Sequence, residues 1–170
     1  MARRRRDFEG PPDQVAAVLR ERIYGGIACL STLLVLVRPG TETTAWRVFV
    51  DVAVATGGLW AASLLADFVA HLGAHGSRPR GAEAVDILRA SGQILEAAYV
   101  PLILLALAGV GVMRLEGALR AGIWASIISL GVFALLAVRR TSLKPWQRAA
   151  VVVALVGLGA LVVLLKTVAH

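Results

Sequence analysis

The sequence predicts an all-α integral membrane bundle of five transmembrane helices, with the N-terminus in the cytoplasm and the C-terminus outside. The chain has 170 residues, of which 58% are hydrophobic, and its mean hydropathy is +0.74. A soluble domain is apolar over only about half of its residues. A helix needs about 20 mainly apolar residues to cross a bilayer. Five runs approach this length, and they cover 23–37, 48–70, 94–112, 121–138 and 149–165.

The first apolar run is short for a span, so its helix must begin before Ile23. We expect the helix to start near Pro12 and Asp13, because proline favours the first helical turn and aspartate can cap it. The sequence Arg20-Glu21-Arg22 then lies at the membrane surface. Residues 1–22 are therefore interpreted as a basic cytoplasmic tail with a short interfacial helix, and 23–170 as a single transmembrane domain.

The second and third runs carry features that predict how they pack. Small residues recur every four positions on the second run, which favours close helix contacts in lipid; they are Gly58, Ala62, Ala66 and Ala70. In the third run, Pro101 cannot donate a hydrogen bond to the carbonyl of Ala97, so a kink is expected close to Glu96.

The loops around the fourth and fifth runs complete the pattern that sets the orientation. Counting alternate connections, thirteen of the basic residues fall on the side of the N-terminal tail and five on the other side. The positive-inside rule therefore places the tail, the loop His71 to Gln93 and the loop Arg139 to Arg148 in the cytoplasm. The predominance of Arg, Ala, Gly and Val is typical of a GC-rich bacterial genome, which indicates the bacterial cytoplasmic (inner) membrane.

The basic residues predict contact with lipid and not with nucleic acid. They separate apolar runs instead of forming one surface interleaved with aromatic residues. The N-terminal cluster is expected to bind anionic lipid headgroups; it consists of Arg3, Arg4, Arg5 and Arg6.

Ionisable residues near the cytoplasmic ends of three runs form the candidate functional layer. Its proton-binding or cation-binding candidates are Glu21, Asp67, His71 and Glu96, and its ion-pair partners are Arg20 and Arg22. Ionisable groups at membrane depth often mark ion or proton pathways. The alternative is that the two arginines neutralise the carboxylates and lock the helices together.

A divalent metal is the only cofactor that the sequence leaves open. Asp67, His71 and His75 are spaced four residues apart, so a continuous helix would stack them on one face, and such ligands can bind a transition metal. Asp51 lies nearly opposite Asp67 on the same helix. It is expected to pair with Arg47 or Arg114 at the outer surface.

The sequence predicts no enzymatic activity and leaves two functions open. It has no nucleophile elbow, phosphate-binding glycine loop or zinc-protease motif, and its single cysteine, Cys29, excludes an intramolecular disulfide. The first function is transport of protons or a small cation through the charged layer. The second is a non-catalytic accessory or assembly subunit, with membrane-protein partners or further copies of the chain.

Three segments resemble a group of uncharacterised multi-pass membrane proteins of high-GC Gram-positive bacteria. They are Ile23-Tyr24-Gly25, Leu65-Ala66-Asp67-Phe68-Val69-Ala70-His71 and Glu96-Ala97-Ala98-Tyr99-Val100-Pro101. The likeness covers the first three runs and implies a helical membrane fold. The members of that group more often carry histidine at the position of Asp67, and no activity is assigned to them.

Overall fold

The computed structural model describes residues 11–37, 43–139, 144–150, 153–154 and 157. Over these residues the chain is helical, with turns between the helices and no strand. Four long helices are present: α1 Pro12–Leu36, α2 Ala45–His75, α3 Ala82–Gly109 and α4 Leu115–Arg139. Residues 145–150 are helical as well. The basic cluster at residues 3–6 and most of the predicted fifth span lie outside the described residues.

Helix α1 begins at Pro12, as the sequence predicts, but the expected capping by Asp13 is wrong. Pro11 occupies the cap position and no side chain caps the helix by a hydrogen bond. Asp13 already lies within the first turn, where its carboxylate instead complements the positive end of the helix dipole.

The other helices extend beyond the apolar runs that predicted them. The predicted cytoplasmic loop from His71 to Gln93 is helical except at residues 76–81, because α2 continues to His75 and α3 begins at Ala82. Likewise, α4 begins at Leu115, so most of the connection predicted between the third and fourth runs is helical. Hydropathy detects only the part of a helix that suits lipid, whereas Gly76 and Gly81, at φ 65° and 57°, mark where the helical backbone is interrupted.

Three helices are long and apolar enough to span a membrane: Ala45–His75, Ala82–Gly109 and the part of α4 from Leu115 to Ala137. Many large apolar side chains point outward from them, among them Val54, Leu65 and Ile128, at 68%, 63% and 62% exposed. An apolar exterior of this extent is suited to lipid and not to water. Helix α1 is not among these three helices, since Arg20, Glu21 and Arg22 interrupt its apolar sequence.

Helices α1 and α3 form the centre of the bundle. They pack against each other, and each also packs against both α2 and α4. The two backbones meet at Gly25, where an added Cβ would lie only 2.7 Å from the Cα of Ile94. An apolar core lies beyond this contact, away from the charged layer, and includes Cys29, Leu33, Val48, Val52, Ala98 and Leu105.

The predicted packing face of α2 is exposed in the described bundle. Gly58, Ala62, Ala66 and Ala70 are all exposed. An added Cβ at Gly58 would meet nothing within 4 Å. The bundle is instead contacted by a different face of α2, where Val48, Val52 and Thr56 are buried. The spacing of small residues identifies a face that another helix can approach closely, but it does not identify that helix.

Candidate functional site: a divided charged layer

Two arginines of α1 divide the charged layer into two clusters. Residues two apart on a helix point about 200° apart, so Arg20 and Arg22 reach opposite sides of α1. Arg20 extends towards α2, where it approaches Asp67, whereas Arg22 extends towards α3 and binds Glu96. The sequence places these residues at one depth, but α1 separates them into two sites with different surroundings.

The first cluster, which we call the acidic pair, consists of Glu21 and Asp67 around one guanidinium. Arg20 Nε lies 3.0 Å from a carboxylate oxygen of Glu21, and its Nη2 lies 3.8 Å from Asp67. The hydroxyl of Ser63 donates a 2.7 Å hydrogen bond to the other oxygen of Glu21. Glu21 is 4% exposed although it carries a carboxylate. Two carboxylates therefore share one cation, and with all three groups ionised the cluster has one excess negative charge.

The second cluster, which we call the anchor, consists of Arg22, Gln93 and Glu96. One nitrogen of Arg22, Nη1, donates hydrogen bonds of 2.7 Å to both Gln93 and Glu96. The guanidinium also lies over the ring of Phe133, 4.2 Å from its centroid, which gives a cation–π contact with α4. Arg22 thus joins three helices, and here one guanidinium faces one carboxylate.

His71 and His75 lie together at the end of α2 but do not join the acidic pair through any ion pair. Their rings are stacked with centroids 4.3 Å apart. The Nε2 atom of His71 faces Glu83 of α3 at 3.5 Å, and Nδ1 of His75 lies 3.3 Å from the carbonyl oxygen of His71. Glu83 therefore connects the end of α2 to the first turn of α3.

The structure does not assemble Asp67, His71 and His75 into a metal site. Within the described part of the chain, no three His, Cys, Asp or Glu side chains form a group that could hold a metal ion. Asp67 turns towards Arg20 and His71 towards Glu83. The spacing of four residues aligns the three Cα atoms on one face of the helix, but the side chains are directed to different partners.

The expected ion pair of Asp51 at the outer surface is wrong as well. Within the described residues, no ion pair or side-chain hydrogen bond involves Asp51 or the guanidinium of Arg47. A separation of four residues places Arg47 and Asp51 one turn apart on the same side of α2, yet their charged ends do not meet.

An open cleft of about 470 Å³ reaches Asp67 of the acidic pair from the end of the bundle that carries the α2–α3 turn. Its lining includes Arg20 and Asp67, and also both histidines. At the mouth of the cleft, Gln14 of α1 donates a 2.8 Å hydrogen bond to Asp86 of α3. Glu96 does not line this cleft and borders a separate one with Arg22 and Pro101. The two clusters therefore have separate openings.

Several members of the site were not among the functional residues that the sequence predicted. Ser63 and Gln93 precede Asp67 and Glu96 by four and three residues, so each lies on the same helix face as the carboxylate that it accompanies. A polar residue one turn from a charge within an apolar run was the available signal. Phe133 gave no such signal, because its contact with Arg22 depends on the packing of α4 against α1.

No protein-family model matches the chain, and neither a curated protein nor a solved structure matches it.

Proposed function

We propose that the chain is a five-span protein of the bacterial cytoplasmic membrane, with its N-terminus inside and its C-terminus outside, that transports protons or a small monovalent cation. The observation that supports transport most directly is the excess carboxylate of the acidic pair, because Glu21 and Asp67 share Arg20. A proton or a cation would neutralise this charge. The orientation rests on the distribution of basic residues, and the N-terminal arginines would bind anionic lipid.

The acidic pair offers suitable chemistry for a proton. When Glu21 is ionised, it accepts the hydrogen bond from Ser63. When Glu21 is protonated, the same hydroxyl can rotate and accept a hydrogen bond, since a serine oxygen both donates and accepts. Ser63 can therefore stabilise both protonation states without movement of the helices. Arg20 can shift between the two carboxylates as their charges change.

The cleft and the apolar core suggest the direction of access. The cleft reaches Asp67 from the end of the bundle that the proposed orientation assigns to the cytoplasm. On the other side, the core around Leu33, Val52 and Leu105 is fully buried. In the proposed cycle, this conformation loads from the cytoplasm, and release to the outside requires the core contacts of α2 to open.

Ion flux in proteoliposomes tests the transport proposal. Glu21→Gln and Asp67→Asn remove the carboxylates with little change in size, and each is expected to lower the flux strongly, because an amide neither takes up a proton nor carries the negative charge that the transported ion would neutralise. Glu116→Gln is the matched control, since Glu116 forms only an exposed pair with Arg120, and it should leave the flux unchanged. Wild-type flux in both acidic-pair variants would refute transport through this site.

The anchor has a different expected role, so a Glu96 variant separates the two clusters. Glu96→Gln keeps an acceptor for Arg22 and removes the charge. Because Glu96 lies outside the cleft of the acidic pair, this variant should transport normally when folded and should be less stable. A flux loss as large as that of Asp67→Asn, at wild-type stability, would show that the anchor also carries the ion.

An accessory or assembly subunit is the second candidate, and the anchor favours it. The hydrogen bonds of Arg22 to Gln93 and Glu96 hold α1 against α3, as expected of a static scaffold. Gentle extraction from the native membrane at natural abundance, followed by identification of the co-purifying chains, tests this role. A stable assembly with other proteins together with zero flux in the purified chain would favour it over transport.

A further inference from the structure

The anchor has unused hydrogen-bonding capacity beside its own cleft. A guanidinium carries five N–H groups, and within the described residues only Nη1 of Arg22 makes hydrogen bonds. Its Nε is fully covered and has no partner. The side chain is only 9% exposed, and unpaired N–H groups at such a site cost free energy that a bound acceptor would recover. Arg22 therefore has room for an acceptor that the described helices do not supply.

The cleft beside the anchor is large enough to admit a ligand and opens towards lipid. Its volume is about 380 Å³, and its lining includes Arg22 of α1, Glu96 of α3 and Ser129 of α4. Tyr99 and Val100 also border it and are 66% and 51% exposed. Both α3 and α4 are long and apolar enough to span a membrane. A ligand would therefore enter from the side of the bundle, between two membrane-spanning helices.

The same cleft also contains unused acceptors. One carboxylate oxygen of Glu96 binds Arg22; the other makes no hydrogen bond within the described residues, and the side chain is 55% exposed. Pro101 lacks the N–H that would otherwise pair with the carbonyl of Ala97, and both residues line the cleft. Free donors and free acceptors thus lie side by side, at a site whose two charges cancel.

We infer that this cleft binds the headgroup of an amine-bearing, zwitterionic phospholipid, with the phosphate on Arg22 and the ammonium on Glu96. Arginine binds phosphate through charge-assisted hydrogen bonds, and Nη2 is the nitrogen that neither has a partner nor is fully covered. A headgroup without an ammonium would bring its phosphate close to Glu96 uncompensated. A lipid suits the site better than a soluble phosphoethanolamine, because the cleft opens towards lipid and tyrosines such as Tyr99 are enriched at headgroup depth.

The fifth apolar run of the chain cannot supply the missing partners. Residues 149–165 consist only of Ala, Val, Leu and Gly, so none of their side chains donates or accepts a hydrogen bond. An apolar helix over the cleft would leave the free groups of Arg22 and Glu96 unpaired. These groups therefore favour a ligand that carries both a negative and a positive charge.

Native mass spectrometry of the full chain in detergent tests the site. The probes are dioleoyl phosphatidylethanolamine and dioleoyl phosphatidylglycerol, which share acyl chains and phosphate. The first should bind about 10-fold more tightly, since it alone brings an ammonium to Glu96; this ratio corresponds to about 1.4 kcal/mol. Equal affinities for the two lipids would overturn the inference. Soluble phosphoethanolamine that binds as tightly as the lipid would overturn the lipid as the occupant.

Variants locate the binding within the cleft. Ala125→Leu fills part of the cleft without altering the ion pair and should abolish saturable binding of phosphatidylethanolamine. Glu96→Gln should remove the preference between the two lipids, and Arg22→Gln should weaken the binding of both. Arg120→Gln, which alters only the exposed pair with Glu116, is the matched control and should bind as the wild type does.

Two results would refute the site: wild-type affinity in Ala125→Leu, or an unchanged lipid preference in Glu96→Gln. Circular dichroism establishes that each variant keeps its helical content. Ala125→Leu decides the case if Arg22→Gln does not fold, because it leaves the anchor in place.

Discussion

Alanine substitution at Gly25 tests whether α1 and α3 form the centre of the bundle. The new Cβ would lie 2.7 Å from Cα and 2.9 Å from the carbonyl oxygen of Ile94. Normal carbon contacts require about 3.5–4.0 Å, so the helices would have to separate by roughly 1 Å. Because both clashing atoms belong to the backbone, rotation of a side chain cannot relieve the clash. Overpacking typically costs about 1–3 kcal/mol, whereas alanine gains about 0.5–1 kcal/mol of helix preference over glycine.

We therefore expect Gly25→Ala to lower the free energy of unfolding by about 1–2 kcal/mol, because the cost of overpacking exceeds the gain in helix preference. Two other glycines provide matched controls. At Gly26 the clash is with a methyl end of Leu130, at 2.9 Å, which can rotate away, so the net change should be close to zero. At Gly92 an added Cβ meets nothing within 4 Å, so alanine should stabilise the protein by up to about 1 kcal/mol.

Reversible unfolding of the purified protein in mixed micelles, monitored by circular dichroism, measures the three changes. We expect Gly92→Ala to be the most stable of the three variants, Gly26→Ala to be intermediate and Gly25→Ala to be the least stable. If Gly25→Ala is as stable as Gly26→Ala, the two backbones do not approach as closely as described, and α1 is not fixed against α3 by this contact.

Three further predictions use the same unfolding measurement. Arg22→Gln should cost about 1–3 kcal/mol, less than the loss of a fully buried pair, because Glu96 is 55% exposed and water can solvate it; a loss below that of Glu96→Gln would contradict the anchor role of Arg22. Gly76→Ala should cost about 1–2 kcal/mol, since the residue has φ 65°, and Gly76→Asn should cost less; equal stability of Ala and Gly would show that this turn can adopt another backbone. Thr44→Ala should cost about 0.5 kcal/mol, because its hydroxyl accepts a long hydrogen bond of 3.4 Å from the Arg47 amide; a loss of several times that size would indicate a further role for Thr44.

The apolar runs predicted where helices lie but not where they end. The run beginning at Ile94 located α3, yet the helix starts at Ala82, because Glu83, Asp86 and Arg89 continue a helix after it leaves the region suited to lipid. These residues are compatible with helix, but a hydropathy search does not detect a helical segment that is too polar for lipid. The apolar run did not locate the end of α2 either. The helix ends at Gly76, which adopts the left-handed conformation.

The sequence also identified the charged residues without revealing their partners. Helical spacing requires Arg20 and Arg22 to diverge, and this could be deduced from the sequence alone. Which neighbouring helix each one meets depends on the arrangement of α2 and α3 around α1, which periodicity within one helix does not specify. For the same reason, Gly25 and Gly26 are indistinguishable in sequence but contact different helices, as their neighbours Ile94 and Leu130 show.

The unequal contacts on the two sides of α1 indicate which helix would move in the proposed transport cycle. Towards α3, Arg22 makes two hydrogen bonds of 2.7 Å, and the backbones are in contact at Gly25. Towards α2, one hydrogen bond, from Ser63 to Glu21, joins the helices, and Arg20 lies 3.8 Å from Asp67, beyond hydrogen-bonding distance. Neutralisation of Asp67 would weaken the attraction between Arg20 and α2 and leave the anchor unchanged. A conformational change that follows ion binding should therefore displace α2 relative to the α1–α3 pair, because the anchor and the glycine contact hold α1 against α3.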